Sequence, residues 1–181
     1  MEPANNDEVM SSFHSSKGVN PWVPGELTLL RATALKNGAS VETLVLGAID
    51  GSTDIFLHAE GTTLTRETAA GSAAVTWGGS GTITSLAEDG ESYYAADSTG
   101  IYKGTLAGGA GTKVWNTGAT TVIGWVKQRL VAGIGNKIYE LVGGTPPTLP
   151  TELYEHPSTS WRWTAVAEAP QAIYAAGYAG A

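Results

Sequence analysis

A four-residue motif, two bulky side chains followed by two small ones, recurs along the second half of the chain and narrows what it can fold into. It reads Tyr93-Tyr94-Ala95-Ala96, then Leu130-Val131-Ala132-Gly133, then Ile173-Tyr174-Ala175-Ala176, at spacings of 37 and 43 residues. An aliphatic residue stands seven positions before each copy (Leu86, Ile123, Val166), and a threonine nine positions before it (Thr84, Thr121, Thr164). A second match follows the first two copies, Gly100-Ile101-Tyr102-Lys103 and Lys137-Ile138-Tyr139-Glu140, again 37 residues apart. A tryptophan precedes each threonine at a less regular offset: Trp77, Trp115, and Trp161 or Trp163. A period of this length implies one supersecondary unit, repeated so that each copy buries its faces against its neighbours.

The unit is β-structure. Thr82-Ile83-Thr84-Ser85-Leu86, Ser92-Tyr93-Tyr94-Ala95, Gly100-Ile101-Tyr102-Lys103 and Thr112-Lys113-Val114-Trp115 are short and rich in β-branched and aromatic residues. Glu88-Asp89-Gly90, Asp97-Ser98-Thr99-Gly100 and Gly108-Gly109-Ala110-Gly111 separate them with turn-forming residues. Four short strands per unit of about 40 residues predict the blades of a β-propeller. Strands at such spacing also suit a β-sandwich, the alternative fold. The small residues fit places where blades converge, and the Trp and Tyr residues fit the wider gaps between them. A weaker first copy, Leu44-Val45-Leu46-Gly47-Ala48 followed by Ile55-Phe56, puts Phe56 in the place of Tyr102 and implies an insertion between Gly61 and Gly81.

The organisation expected is therefore an all-β chain in two parts. Residues 1–25 form an extended N-terminal arm that includes Asn20-Pro21-Trp22-Val23-Pro24-Gly25, and residues 26–181 form about three and a half blades. A proline-rich crossing, Gly143-Gly144-Thr145-Pro146-Pro147-Thr148-Leu149-Pro150, interrupts the third unit. The last unit has two of its four strands, which leaves a sheet edge that needs cover. The expected cover is another chain, or more of a longer one.

Composition sharpens this by exclusion. Ten basic residues face 17 acidic ones for a net charge of −7, and the basic residues are scattered, so binding to nucleic acid is not expected. With no cysteine, disulfides, thiolate metal sites and a cysteine nucleophile are impossible. The start of the chain is polar and acidic, and no run approaches the ~20 apolar residues of a membrane helix, so membrane insertion is not expected. Six Trp and seven Tyr against two Phe point to half-buried aromatics with a polar tip.

Catalytic patterns are weak. His14, His58 and His156 stand far apart and read as solvent-facing loop residues rather than metal ligands. Asp50-Gly51-Ser52-Thr53-Asp54 spaces oxygen ligands as a calcium loop could, but a hairpin turn explains it equally well. The glycines of Ala107–Thr112 precede neither a Lys-Ser/Thr pair nor a helix, which argues against a phosphate cradle. The acidic residues sit mostly in turns, so the paired carboxylates of a glycosidase are not evident. No catalytic residue, metal or cofactor is expected. The candidate binding residues are aromatic: Trp22 in the arm, and Trp161 and Trp163, whose alternation puts both indoles on one face of a strand.

The stretch Thr82–Lys103, reading T-I-T-S-L-A-E-D-G-E-S-Y-Y-A-A-D-S-T-G-I-Y-K, resembles the blades of propeller-bearing minor tail proteins of actinobacterial phages; the likeness runs over residues 73–181 and rests on repeat style. Similar blades occur in bacterial surface and secreted proteins. The resemblance implies a structural, non-enzymatic role in the virion tail, contact with other virion proteins or further copies of the chain, and host-surface contact. The alternative expectation is a lectin-like module that binds cell-surface glycan, and after it a fragment of a glycoside hydrolase; outside a virion, the extracellular space or cell surface is expected.

Overall fold

A computed structural model describes residues 19–20, 28–29, 44–116, 118–141 and 151–180. The chain divides into two compact units, Met1–Ser40 and Val41–Ala181. In the first, β1 (Val19–Asn20) pairs antiparallel with β2 (Thr28–Leu29). The expected arm boundary at residue 25, His14, Trp22 and the proline-rich crossing lie outside the described residues.

The second unit is all-β in its described residues. Three antiparallel four-stranded meanders follow one another in the chain. The first sheet holds β3 (Leu44–Asp50), β4 (Thr53–Glu60), β5 (Thr63–Thr68) and β6 (Gly71–Val75). The second holds β7 (Ser85–Glu88), β8 (Ser92–Asp97), β9 (Gly100–Thr105) and β10 (Thr112–Trp115). The third holds β11 (Thr120–Val126), β12 (Arg129–Ile134), β13 (Lys137–Leu141) and β14 (Thr151–Glu155). A long hairpin closes the series, β15 (Trp161–Ala169) paired with β16 (Ala172–Ala179).

Strand alternation explains how these sheets pack. Successive side chains point to opposite faces, so each motif serves two interfaces. Tyr93 and Ala95 bury against the first sheet, while Tyr94 and Ala96 bury against the third. One period later, Leu130 and Ala132 face back to the second sheet and Val131 faces forward to the hairpin. Ile101 and Ile138 face forward, Tyr102 and Tyr139 back. Each interface receives one buried tryptophan: Trp77, Trp115 and Trp163. The less regular tryptophan offset thus resolves to Trp163 in the last copy. The first strands of neighbouring sheets lie against one another, β3 on β7, β7 on β11 and β11 on β15. The second and third sheets are covered on both faces, which departs from the sandwich alternative, where each sheet has one covered face.

The repeated threonines have a common task. Thr84, Thr121 and Thr164 each place Oγ1 near the carbonyl of the last residue of the four-residue motif: Ala96 at 3.1 Å, Gly133 at 3.2 Å and Ala176 at 3.4 Å. In the third sheet and the hairpin the threonine sits where the pairing register shifts, between Thr120 and Val122 and between Trp163 and Ala165. There the hydroxyl adds a side-chain contact to a carbonyl beside the irregular point of the ladder.

The expected insertion between Gly61 and Gly81 is corrected, because β5 and β6 occupy that stretch as ordinary strands. Ile55 and Phe56 lie on the second strand, not the third. The period is 37 residues here too: Leu57, Ala59 and Leu64 hold the positions of Tyr94, Ala96 and Ile101 and bury in the first interface. The position of Tyr102 is taken by Thr65, and loss of that aromatic is what obscured the copy.

Candidate interaction surfaces

Two buried or half-buried aspartates, Asp97 and Asp89, are committed to holding turns. Asp97 is fully buried, and its Oδ1 accepts from Thr99 N (2.7 Å), Thr99 Oγ1 (2.8 Å) and Gly100 N (3.0 Å), with Oδ2 accepting from Gly81 N at 3.2 Å. Burial pushes its pKa up, but these donors outweigh it and hold the carboxyl below the usual aspartate value. Asp89 is also held low. Burial opposes, while Tyr94 Oη (2.7 Å), Ser92 N (2.7 Å), Glu91 N (3.1 Å) and the Lys103 ammonium (3.4 Å) prevail. A carboxylate so fully hydrogen-bonded is a poor proton acceptor, which suits a structural rather than a catalytic role.

Asp50-Gly51-Ser52-Thr53-Asp54 forms a two-residue hairpin turn, with Asp50 opposite Thr53 and Gly51 at φ +62°. Asp50 pairs with Arg66 at 3.4 Å. Among the described residues no cluster of His, Asp and Glu could hold a metal ion. The expectation of solvent-facing loop histidines needs correction. His58 lies in the middle of β4, half-buried, 3.5 Å from Glu67 Oε1, and His156 stacks on Trp161 with ring centroids 4.1 Å apart.

That stack belongs to an aromatic cluster where β14 meets β15. Trp161 and Trp163 face the same way, as the alternation required, and pack edge to face at 5.6 Å. Tyr154 packs on Trp163 at 6.0 Å and is half exposed. Trp163 is buried in the core, whereas Trp161 is half-buried. Both indole N–H groups are buried without a hydrogen-bond partner. No periodicity links His156 and Tyr154 to the two tryptophans; both reach the cluster through the pairing of β13 with β14.

A second feature is an open depression of about 450 Å³ lined by Trp125, Lys127, Gln128 and Glu168. Lys127 and Gln128 form the β11–β12 turn with φ of 52° and 60°. Two non-glycine residues in this left-handed region cost roughly 1–2 kcal/mol each. The hairpin offsets the cost: Lys127 N donates to Glu168 Oε2 at 2.5 Å and Lys127 Nζ to Pro170 O at 2.7 Å. Trp125 stacks parallel on Tyr94 with centroids 5.8 Å apart. Two of its four lining residues, Lys127 and Glu168, are already bonded to one another.

The third feature is apolar, at the two ends of the series. Ile49 and Phe56 are 61% and 53% exposed on the outer face of the first sheet, and Tyr174 and Tyr178 are 63% and 58% exposed on the outer face of the hairpin. The sequence carried a signal for the hairpin face in the alternation Ala172, Tyr174, Ala176, Tyr178. No protein-family model matches this chain, and comparison with curated proteins finds no match.

Proposed function

We propose that this chain is a non-catalytic structural component of a larger assembly, built from propeller-type blades, and that the assembly is a phage tail in which it acts as a minor tail protein. The observation that carries the structural reading is the pair of exposed apolar end faces on a series of sheets whose internal faces are covered. Adjacent first strands and one tryptophan per interface support the blade arrangement. The phage assignment rests on the sequence resemblance and goes no further than a virion structural role with host-surface contact.

Fractionation of the source culture tests this. The chain should co-band with tailed particles in a density gradient, and antibody raised to residues 44–180 should label the tail. Recovery wholly in the particle-free fraction would refute the virion role.

A second reading, glycan binding, is favoured by the half-exposed Tyr154 beside the Trp161–His156 stack, because aromatic planes pack on sugar rings. Retention on host envelope glycans, lost in Tyr154→Ala, would support it.

A further inference from the structure

We infer that the outer face of the first sheet in one copy seats on the outer face of the β15–β16 hairpin in a second copy, joining chains head to tail. The inference rests on the structural reading above and names the surface and the partner.

Register along the repeat decides which face meets which. Ile49 and Phe56 stand 37 residues before Leu86 and Tyr93, and 74 before Ile123 and Leu130. Those later pairs face backward and pack against the preceding sheet. Tyr174 stands 43 residues after Val131 and 80 after Tyr94, both of which face forward and pack against the sheet that follows. Every internal interface is thus one backward face on one forward face. One face of each kind is left over, each carrying exposed apolar side chains: the backward face of the first sheet with Ile49 and Phe56, and the forward face of the hairpin with Tyr174 and Tyr178. A partner that repeats the internal interface must bring the complementary face, and a second copy of this chain carries it.

Charge agrees with this orientation. Asp54, Glu60 and Glu67 lie on the same side of the first sheet as Phe56, by strand alternation and cross-strand pairing. The hairpin presents Arg162, Ala165, Ala167, Tyr174, Ala176 and Tyr178 on its outer side, with no carboxylate. Two first-sheet faces brought together would oppose like charges, whereas first sheet on hairpin sets acidic groups against an arginine. The contact is heterologous, so it propagates as a ring or a filament instead of stopping at a two-fold dimer.

Sedimentation of the purified 181-residue chain is the test. Its average mass should rise with concentration between about 1 and 100 μM, the range in which a modest interface operates. Phe56→Glu and Tyr174→Glu should each weaken self-association about tenfold or more, since each buries a carboxylate in the contact. Both positions are exposed, so circular dichroism and melting should match the wild type. Mixing the two variants is decisive. Phe56→Glu keeps a working hairpin and Tyr174→Glu a working first sheet, so together they should form a 1:1 dimer that neither forms alone. A wild type that stays monomeric, variants that associate as well as wild type, or a mixture that stays monomeric would overturn the inference. The assay uses purified chain only, so its failure would leave the particle-fractionation result standing, and the reverse.

Discussion

Tyr93 offers the sharpest test of how this packing is argued. Its side chain is 0% exposed in the first interface, and its hydroxyl is buried with no hydrogen-bond partner. The backbone of β9 closes over it: a Cβ on Gly104 would lie 2.3 Å from the hydroxyl oxygen. An orphaned buried hydroxyl forfeits its hydration, at roughly 1–3 kcal/mol. Tyr93→Phe removes the oxygen, keeps the ring, and should stabilise the fold by about 1 kcal/mol at neutral pH, or roughly 2–4 °C in Tm. Burial also raises the phenol pKa from 10.0 to about 12. With a folded pKa above the unfolded one, wild-type stability owes nothing to this ionisation below pH 10 and falls as pH rises toward 12. Over that window the unfolded chain ionises while the folded one resists, which costs the wild type up to about 3 kcal/mol. Urea denaturation of both proteins at pH 7, 10 and 12 reads both effects. The variant should gain at pH 7, and its advantage should widen with alkali. A variant less stable than wild type by about 0.5 kcal/mol or more at pH 7 would show that the hydroxyl has a partner, and a constant difference across the three pH values would show that folding does not raise its pKa.

Three further outcomes follow from the same packing. Gly133→Ala should destabilise by about 1–3 kcal/mol in chemical denaturation, because the new Cβ would meet Trp163 Cβ at 2.7 Å and Val122 Cγ1 at 2.8 Å, with packed core on both sides. Thr84→Val should cost about 1–2 kcal/mol by the same assay, since Thr84 Oγ1 lies 2.7 Å from Thr120 O in the next sheet as well as 3.1 Å from Ala96 O. Asp97→Asn should lower stability by about 1–3 kcal/mol at pH 7 through loss of charge-assisted bonds. Because the folded pKa of Asp97 is depressed, its contribution is present above the ordinary aspartate value of 3.8 and lost as pH falls below it; acid titration should therefore narrow the gap between wild type and variant.

The repeat was legible because each of its features has a separate physical cause. The four-residue motif alternates faces along a strand, so its first and third residues serve one interface and its second the next, and all must be apolar or small. The threonine recurs with a common contact, its hydroxyl lying within 3.4 Å of the carbonyl that ends the motif at Ala96, Gly133 and Ala176. The first sheet kept the faces but lacked the threonine and the third-strand tyrosine, so its copy was matched to the wrong strand. Matching by face instead of residue type, with Leu57, Ala59 and Leu64 on one side, recovers the 37-residue period from the sequence alone.

Functional surfaces were harder to read, for a reason that lies in the repeat itself. Every sheet carries forward and backward apolar residues, and nothing local distinguishes a face with a neighbour from one without. Phe56 and Tyr174 look like Tyr93 and Val131 in sequence; only the order of sheets leaves the first pair in water. Likewise Tyr154 and His156 join Trp161 through the β13–β14 pairing, which brings Asn136 to His156 O at 2.7 Å and Lys137 to Glu152 at 2.8 Å. A period specifies which residues are interchangeable between units. The exposed apolar side chains Ile49, Phe56, Tyr174 and Tyr178 break that equivalence, and substitutions there such as Phe56→Glu should alter assembly without altering the fold.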